Sequence, residues 1–271
     1  MSDVNPSLAS LVVGFVVVGA ILSPLEWWRP AVAAQRRWRR DATTDLAYWL
    51  FTPLVSGTLA RAGVIVVLVL CALRAGATFD RAAIEAWLAS DALVRRQPVW
   101  LQVFEVLLLG DLIGYATHRW FHGRRMWRFH AVHHSPTEVD WLSSVRLHPV
   151  NDVLSKIAQA VPIVLLGYSP TIVAAYVPFL TFWAIVLHAN VRWDLGPLRY
   201  VIASPAFHRW HHAREADGDG RNFAGLFPFI DALFGTLHLP RAQPAAFGIA
   251  GDPVPRGLLA QLRYPFTRPA A

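Results

Sequence analysis

The chain has 271 residues, 55% of them hydrophobic and only 16% charged, with a mean hydropathy of +0.37 and a formal net charge of +7. An ordinary soluble domain carries about 25% charged residues, so the composition excludes a large soluble core and points to a membrane protein. The one cysteine, Cys71, excludes an internal disulfide and a thiolate metal cluster, and its apolar neighbours suggest a small buried residue.

Leu8–Leu25 is an apolar run of the length that spans hydrocarbon, about 20 residues. The flank before it, residues 2–6, carries no positive charge, whereas Trp27, Trp28 and Arg29 follow it. A secretory signal has the opposite polarity, so the run reads as an uncleaved helix with its C-terminus in the cytoplasm. Asp45–Leu73 is a longer apolar stretch interrupted at Gly57 and Arg61, and one tilted span is favoured over a pair of short helices. Thr78–Leu93 alternates charged and apolar residues, as an amphipathic helix lying at the interface does. This puts residues 78–97 outside, and Arg95 and Arg96 count against that placement.

Val99–Thr117 is the next span. Val153–Leu166 and Thr171–Leu187 are separated by Gly167-Tyr168-Ser169-Pro170, which is turn chemistry and makes the two a hairpin. Residues 191–271 read as a cytoplasmic cap. The expected fold is an all-α integral membrane protein of four to five transmembrane helices, with a cytoplasmic helical cap carrying a histidine-rich two-metal site. Its expected divisions are residues 1–98 as anchor, 99–240 as catalytic domain and 241–271 as tail. Arginines gather at the margins, at Arg29, Arg36, Arg37, Arg39 and Arg40 and again at Arg119, Arg124, Arg125 and Arg128, while Lys156 is the only lysine. That pattern suits the cytoplasmic edge of an anionic bilayer rather than nucleic acid. Tryptophans at the ends of the apolar runs suit an interfacial belt.

All eleven histidines lie between His118 and His238. His118 and His122 are four apart at the end of a span and share a face, with Gly123 as the stop. His130, His133 and His134 form a second group on a short helix ended by Pro136. His208, His211 and His212 repeat its spacing after a helix start at Ser204-Pro205. Imidazole is a common metal ligand, and eight clustered rings are too many for one ion, so two are implied. His188, at the end of a span, is a ninth candidate. His148 is open between ligand, support for a ligand and substrate contact, and His238 reads as an ordinary polar residue. Asp111 and Tyr115 share the face of His118. A carboxylate half a span deep is costly unless paired, and orienting a ligand imidazole would account for it. With no His-Glu-x-x-His, no accompanying cysteines and no Glu-x-x-His pairs, iron is the best candidate, ahead of zinc or manganese.

The pattern H-x3-H, H-x2-H-H, H-x2-H-H between apolar spans resembles the fatty acid hydroxylase and sterol desaturase superfamily of membrane di-iron enzymes. Asp111-x3-Tyr115-x2-His118-Arg119, Trp127-x-Phe129-His130, His133-His134-Ser135-Pro136, Arg146-x-His148-Pro149, His188-x-Asn190, Asn222–Gly225 and Asp231-x-x-Phe234-Gly235-Thr236 agree with it. The resemblance implies the eight clustered histidines as ligands to two irons, with zinc as a substitute and His188 as a further ligand. His148, Asp111, Tyr115 and Asn190 are candidates either as further ligands or as supports of the ligands. It also implies dioxygen-dependent oxidation of an unactivated lipid C–H bond, giving an alcohol or, in a desaturase, an alkene. Dioxygen is then the co-substrate, a lipid enters from the bilayer, and a separate protein donates electrons, since no flavin, haem or iron–sulfur motif is present. The Ala- and Arg-rich usage points to a bacterium with GC-rich DNA, and the expected location is a bacterial inner membrane with the site on its cytoplasmic face. A metal transporter would need ionisable ligands along the spans, and only Asp111 lies deep. A zinc hydrolase would need an acid–base carboxylate, for which Glu138 and Asp140 are the candidates against a reading as solvated loop charges.

Overall fold

The computed structural model describes residues 7–36, 38–90, 92–214, 220–250 and 254–267. The polar flank at residues 2–6, Arg37 and parts of the C-terminal tail lie outside the described residues. Among the described residues the chain is helical, with only isolated bridges at Pro30–Val191 and Ala213–Phe247. Four helices are long and apolar enough to cross a membrane: Leu8–Trp28, Ala42–Arg74, Val99–Phe121 and Thr171–His188.

Helix α1 (Leu8–Trp28) starts at Ser7, whose hydroxyl accepts the Ser10 N–H. The long second span begins earlier than expected, in α2 (Ala42–Phe51), and continues through a π-helical turn (Thr52–Ser56) into α3 (Gly57–Arg74). The interruption falls at Pro53, which has no N–H to give the preceding turn, so the helix widens and bends without ending. Cys71 is half-exposed on α3 rather than buried. The amphipathic segment is a shorter helix, α4 (Arg81–Leu88), capped by Asp80 and followed by a 3-10 turn at Leu93–Arg96. Arg95 is not a stray charge. Its guanidinium donates to the Gly167 and Leu88 carbonyls and so ties the end of α4 to the distant turn at Gly167.

Helix α5 (Val99–Phe121) descends to the histidine level and ends at His122, just before Gly123. The short α6 (Trp127–His134) follows. Then come α7 (Pro149–Leu165) and α8 (Pro170–His188), joined at Gly167. Helix α7 leans on α3 and α5. A methyl at Gly63 would stand 2.6 Å from Ile157 Cδ1, and one at Gly110 would stand 1.9 Å from the Tyr176 hydroxyl, so α3–α7 and α5–α8 approach closely only through glycine. The cap holds α9 (Pro205–His211), α10 (Pro228–Leu233) and α11 (Leu258–Arg263).

The C-terminal ends of α1, α5 and α8 meet on one side with the cap. Glu26 accepts the N–H groups of Trp141 and Asn190, and Asn190 bonds both ways with the Val32 backbone. Trp27, Trp28, Trp100 and Trp120 are exposed at helix ends, as an interfacial belt requires. The marginal arginines are not all lipid-facing. Arg39 is buried and grips Asp140 with two hydrogen bonds while pairing with Asp45, and Arg146, 1% exposed, pairs with Asp45 from the other side. Asp140 is therefore a buried structural anion, neither a solvated loop charge nor an acid–base group.

Candidate metal centre

Nine imidazoles converge where α5, α6, α8 and α9 meet, and they divide into two groups. His118, His122, His130, His134 and His211 form one, and His133, His188, His208 and His212 form the other; within each group one ring nitrogen per residue lies within 4.8 Å of all the others. Helix geometry explains the division. Residues four apart stand nearly one above another, whereas neighbours are 100° apart. His118/His122 and His130/His134 therefore share the first group and His208/His212 the second, while His133 and His211 each turn to the opposite group.

The Nε2 atoms nearly touch. His118 to His130 is 3.0 Å, His134 to His130 3.1 Å, His133 to His188 3.3 Å, His188 to His208 3.2 Å and His208 to His212 3.1 Å. Two of these contacts, His118–His130 and His133–His188, cannot be hydrogen bonds, because in both rings the other nitrogen carries the proton. The Nδ1 of His118 donates to the Phe223 carbonyl, that of His130 to Asn151 Oδ1, that of His133 to the Arg146 carbonyl, that of His188 to Ala184 and that of His211 to Arg221. Main-chain carbonyls only accept, so four of these five rings are fixed as the Nδ1–H tautomer with a bare Nε2, and the His130–Asn151 contact orients the fifth ring the same way. Nitrogens bound to one ion at about 2.1 Å and at right angles would stand roughly 3.0 Å apart. The donor set thus has the spacing and tautomers of a ligand set. The Nε2 atoms of His122 and His211 are buried with no hydrogen-bond partner, a costly state that a metal ion would relieve. Burial, reinforced by the neighbouring imidazoles, holds His130, His133, His134, His208, His211 and His212 well below ordinary histidine basicity, so they are neutral and able to ligate.

The other sequence candidates support this centre from outside it. Asp111 touches no imidazole. Its carboxylate instead accepts the N–H groups of Gly225, Leu226 and Phe227. That clamps the loop whose Phe223 carbonyl orients His118, so the expected carboxylate–imidazole contact is replaced by a relay through backbone. Asp231 holds the same loop by the Phe223 and Ala224 N–H groups, and Thr236 links Asp231 to the Tyr115 hydroxyl. Asn222, in the left-handed region at φ 55°, ties the loop to α9 through the Phe207 carbonyl and to His238 through backbone bonds. His148 stands apart from both groups. It caps α7 by accepting the Val150 N–H and bonds the Leu262 carbonyl. Asn190 acts on α1, as described above. Sequence reasoning missed Asn151; a lone amide in the first turn of an apolar helix, next to a histidine motif, was the available signal.

A cavity of about 290 Å³ leads away from the histidines between α5, α7 and α8, with Gly114, Leu180 and Ala184 among its walls and His118, His130, His133, His188 and His208 at its floor. Val177 and Thr181 of its lining are exposed on α8, on the flank that lipid would cover.

Fold and site together define a helical membrane protein with a buried, all-imidazole centre able to hold metal. The fatty acid hydroxylase family model matches residues 103–236, a segment that contains all nine converging histidines. The matched segment is a domain of the fatty acid hydroxylase superfamily. Among curated relatives, the ornithine lipid hydroxylase OlsE of Rhizobium tropici is 36% identical over 175 residues, 63% of this chain and 52% of that protein. The alkylglycerol monooxygenase of Danio rerio is 31% identical over 140 residues, 51% of this chain and 31% of that protein. The very-long-chain aldehyde decarbonylase GL1-4 of Oryza sativa subsp. japonica is 28% identical over 163 residues, 53% of this chain and 26% of that protein. The chain thus spans about half the length of the first of these and less of the others. No solved structure matches it.

Proposed function

We propose that this protein is a membrane-bound di-iron oxygenase that hydroxylates an unactivated C–H bond of a lipid with dioxygen. One iron is held by His118, His122, His130, His134 and His211 and the other by His133, His188, His208 and His212. The observation that carries the reading is the pair of converging Nε2 groups at the floor of a cavity that opens between membrane helices. Bound there, the iron pair would supply the dioxygen chemistry that no side chain can perform.

The chain's own part is to hold, orient and keep dry. Carbonyls and the Asn151 amide fix the tautomers of His118, His130, His133, His188 and His211, so those five rings present a bare Nε2 to a metal. Asp111 and Asp231 are satisfied by backbone N–H groups and hold the wall beside His118 rather than moving protons. The apolar stretches of α5 and α8 exclude water and admit an acyl chain from the bilayer. The histidine end faces the cytoplasm of a bacterial inner membrane, where a separate protein delivers electrons. The names of the relatives, which act on ornithine lipids and alkylglycerols, support a lipid substrate.

The test is metal analysis of the purified protein together with lipid product mass after incubation with dioxygen and a reductant. Retained iron and a gain of one oxygen atom are expected. Loss of two hydrogens would identify a desaturase on the same centre, and an iron-free protein with an unchanged lipid profile would end the proposal.

A further inference from the structure

The cavity wall holds an ion pair that the metal centre does not use. Lys156 Nζ stands 2.7 Å from Asp152 Oδ2, and both residues line the cavity; the Asp152 side chain is 6% exposed and the Lys156 side chain 32%. Asp111 is the other carboxylate in the lining, and its oxygens are engaged by three backbone N–H groups. The pair lies on one stripe of α7 with Asn151, Ser155 and Gln159. Asn151 bonds His130, and Gln159 accepts from the Tyr176 hydroxyl at the deeper end. At 1.5 Å per residue, Lys156 stands only about 7.5 Å along the axis from Asn151.

Helix stability does not account for the pair. An i, i+4 Asp–Lys contact is worth a few tenths of a kcal/mol, less than the desolvation of a nearly buried carboxylate. Nor does general basicity, since Lys156 is the chain's only lysine. Charged groups facing a membrane cavity ordinarily mark what passes through it. A lone anion brought there would meet Asp152, and a lone cation would meet Lys156. A group carrying both charges meets a complement for each.

We infer that Asp152 and Lys156 form a subsite for a zwitterionic lipid headgroup, an ammonium with a carboxylate or phosphate close by, and that the oxidised carbon lies near that headgroup rather than at the chain end. The substrate part of this inference rests on the oxygenase reading above; the binding part does not.

The experiment uses the full chain in nanodiscs and measures retention of an ornithine-headed lipid, phosphatidylethanolamine, phosphatidylglycerol and diacylglycerol, with metal content followed in parallel. The wild type should retain one or both zwitterionic lipids about tenfold over the other two, the scale of one charge-assisted hydrogen bond. Lys156→Met and Asp152→Asn should each erase that preference with metal content unchanged. The exchanged pair, Asp152→Lys with Lys156→Asp, should recover part of it and so exclude a folding defect. Which zwitterion is preferred separates an amino-acid headgroup from a phosphoethanolamine. Equal retention of all four lipids, or a preference untouched by both single variants, overturns the subsite. A preference that depends on the pair, with no dioxygen-dependent product from any lipid, would instead keep the subsite and remove the oxygenase reading.

Discussion

Asp111→Asn tests whether the metal centre is held from beyond its ligands. In the wild type one carboxylate oxygen accepts from Gly225 and Leu226 and the other from Phe227. An asparagine keeps one accepting oxygen and turns an NH2 toward the third donor. One buried N–H is then left unsatisfied, at a cost of about 1–3 kcal/mol. The strain falls on the loop that presents the Phe223 carbonyl to His118 Nδ1 at 2.8 Å. At 1.4 kcal/mol per factor of ten, metal affinity in the five-histidine group should fall about ten- to a hundredfold, the range seen when supports of ligand imidazoles are removed. In the four-histidine group His133 and His188 are oriented by the Arg146 and Ala184 carbonyls rather than by this loop, so that group should keep its metal. Chelator titration followed by metal analysis separates the two. Equal loss from both groups, or no loss from either, would refute the relay.

His134→Ala and His133→Ala should each halve the metal content, but from different groups, so the double variant should be empty; metal-to-protein ratios decide this. Arg39→Ala leaves the buried Asp140 carboxylate without its two-bond partner and should destabilise by about 3–5 kcal/mol, whereas Arg40→Ala, at an exposed site, should change the melting temperature little. The metal-free protein should lose stability as pH falls. The cluster imidazoles are held below ordinary basicity by burial. Below their unfolded pKa of about 6.5 the unfolded chain therefore binds protons that the fold refuses. Stability should be full above that value and decline below it until the folded imidazoles themselves titrate. A flat melting profile between pH 7 and roughly pH 5 would contradict that sign.

Much of the arrangement was legible locally. Apolar run length sets membrane helices, and spacings of three and four set a shared helix face, so the spans and the clustered histidines could be read without a partner in view. His188 was legible by its place at the end of a span. Arg95, Arg39, Arg146 and Asp140 were not. An arginine near an apolar run reads as a lipid anchor until its carboxylate or carbonyl partner is known, and here each has a partner 72 to 101 residues away. Asp111 was picked out correctly as a costly buried charge, but what satisfies it is backbone 114 to 116 residues distant, and backbone donors leave no mark in residue identity.

Chain order and helical periodicity determined that imidazoles would gather at the ends of membrane helices, because both are properties of a single segment. Which imidazole serves which group was decided only by tertiary packing. His133 and His134 are neighbours pointing 100° apart, so their assignment depends on which helix comes to rest on either side. The cavity and its Asp152–Lys156 pair have the same origin. An ion pair four residues apart on one helix is an ordinary surface feature until α5 and α8 close around it and leave it facing the floor where the histidines converge.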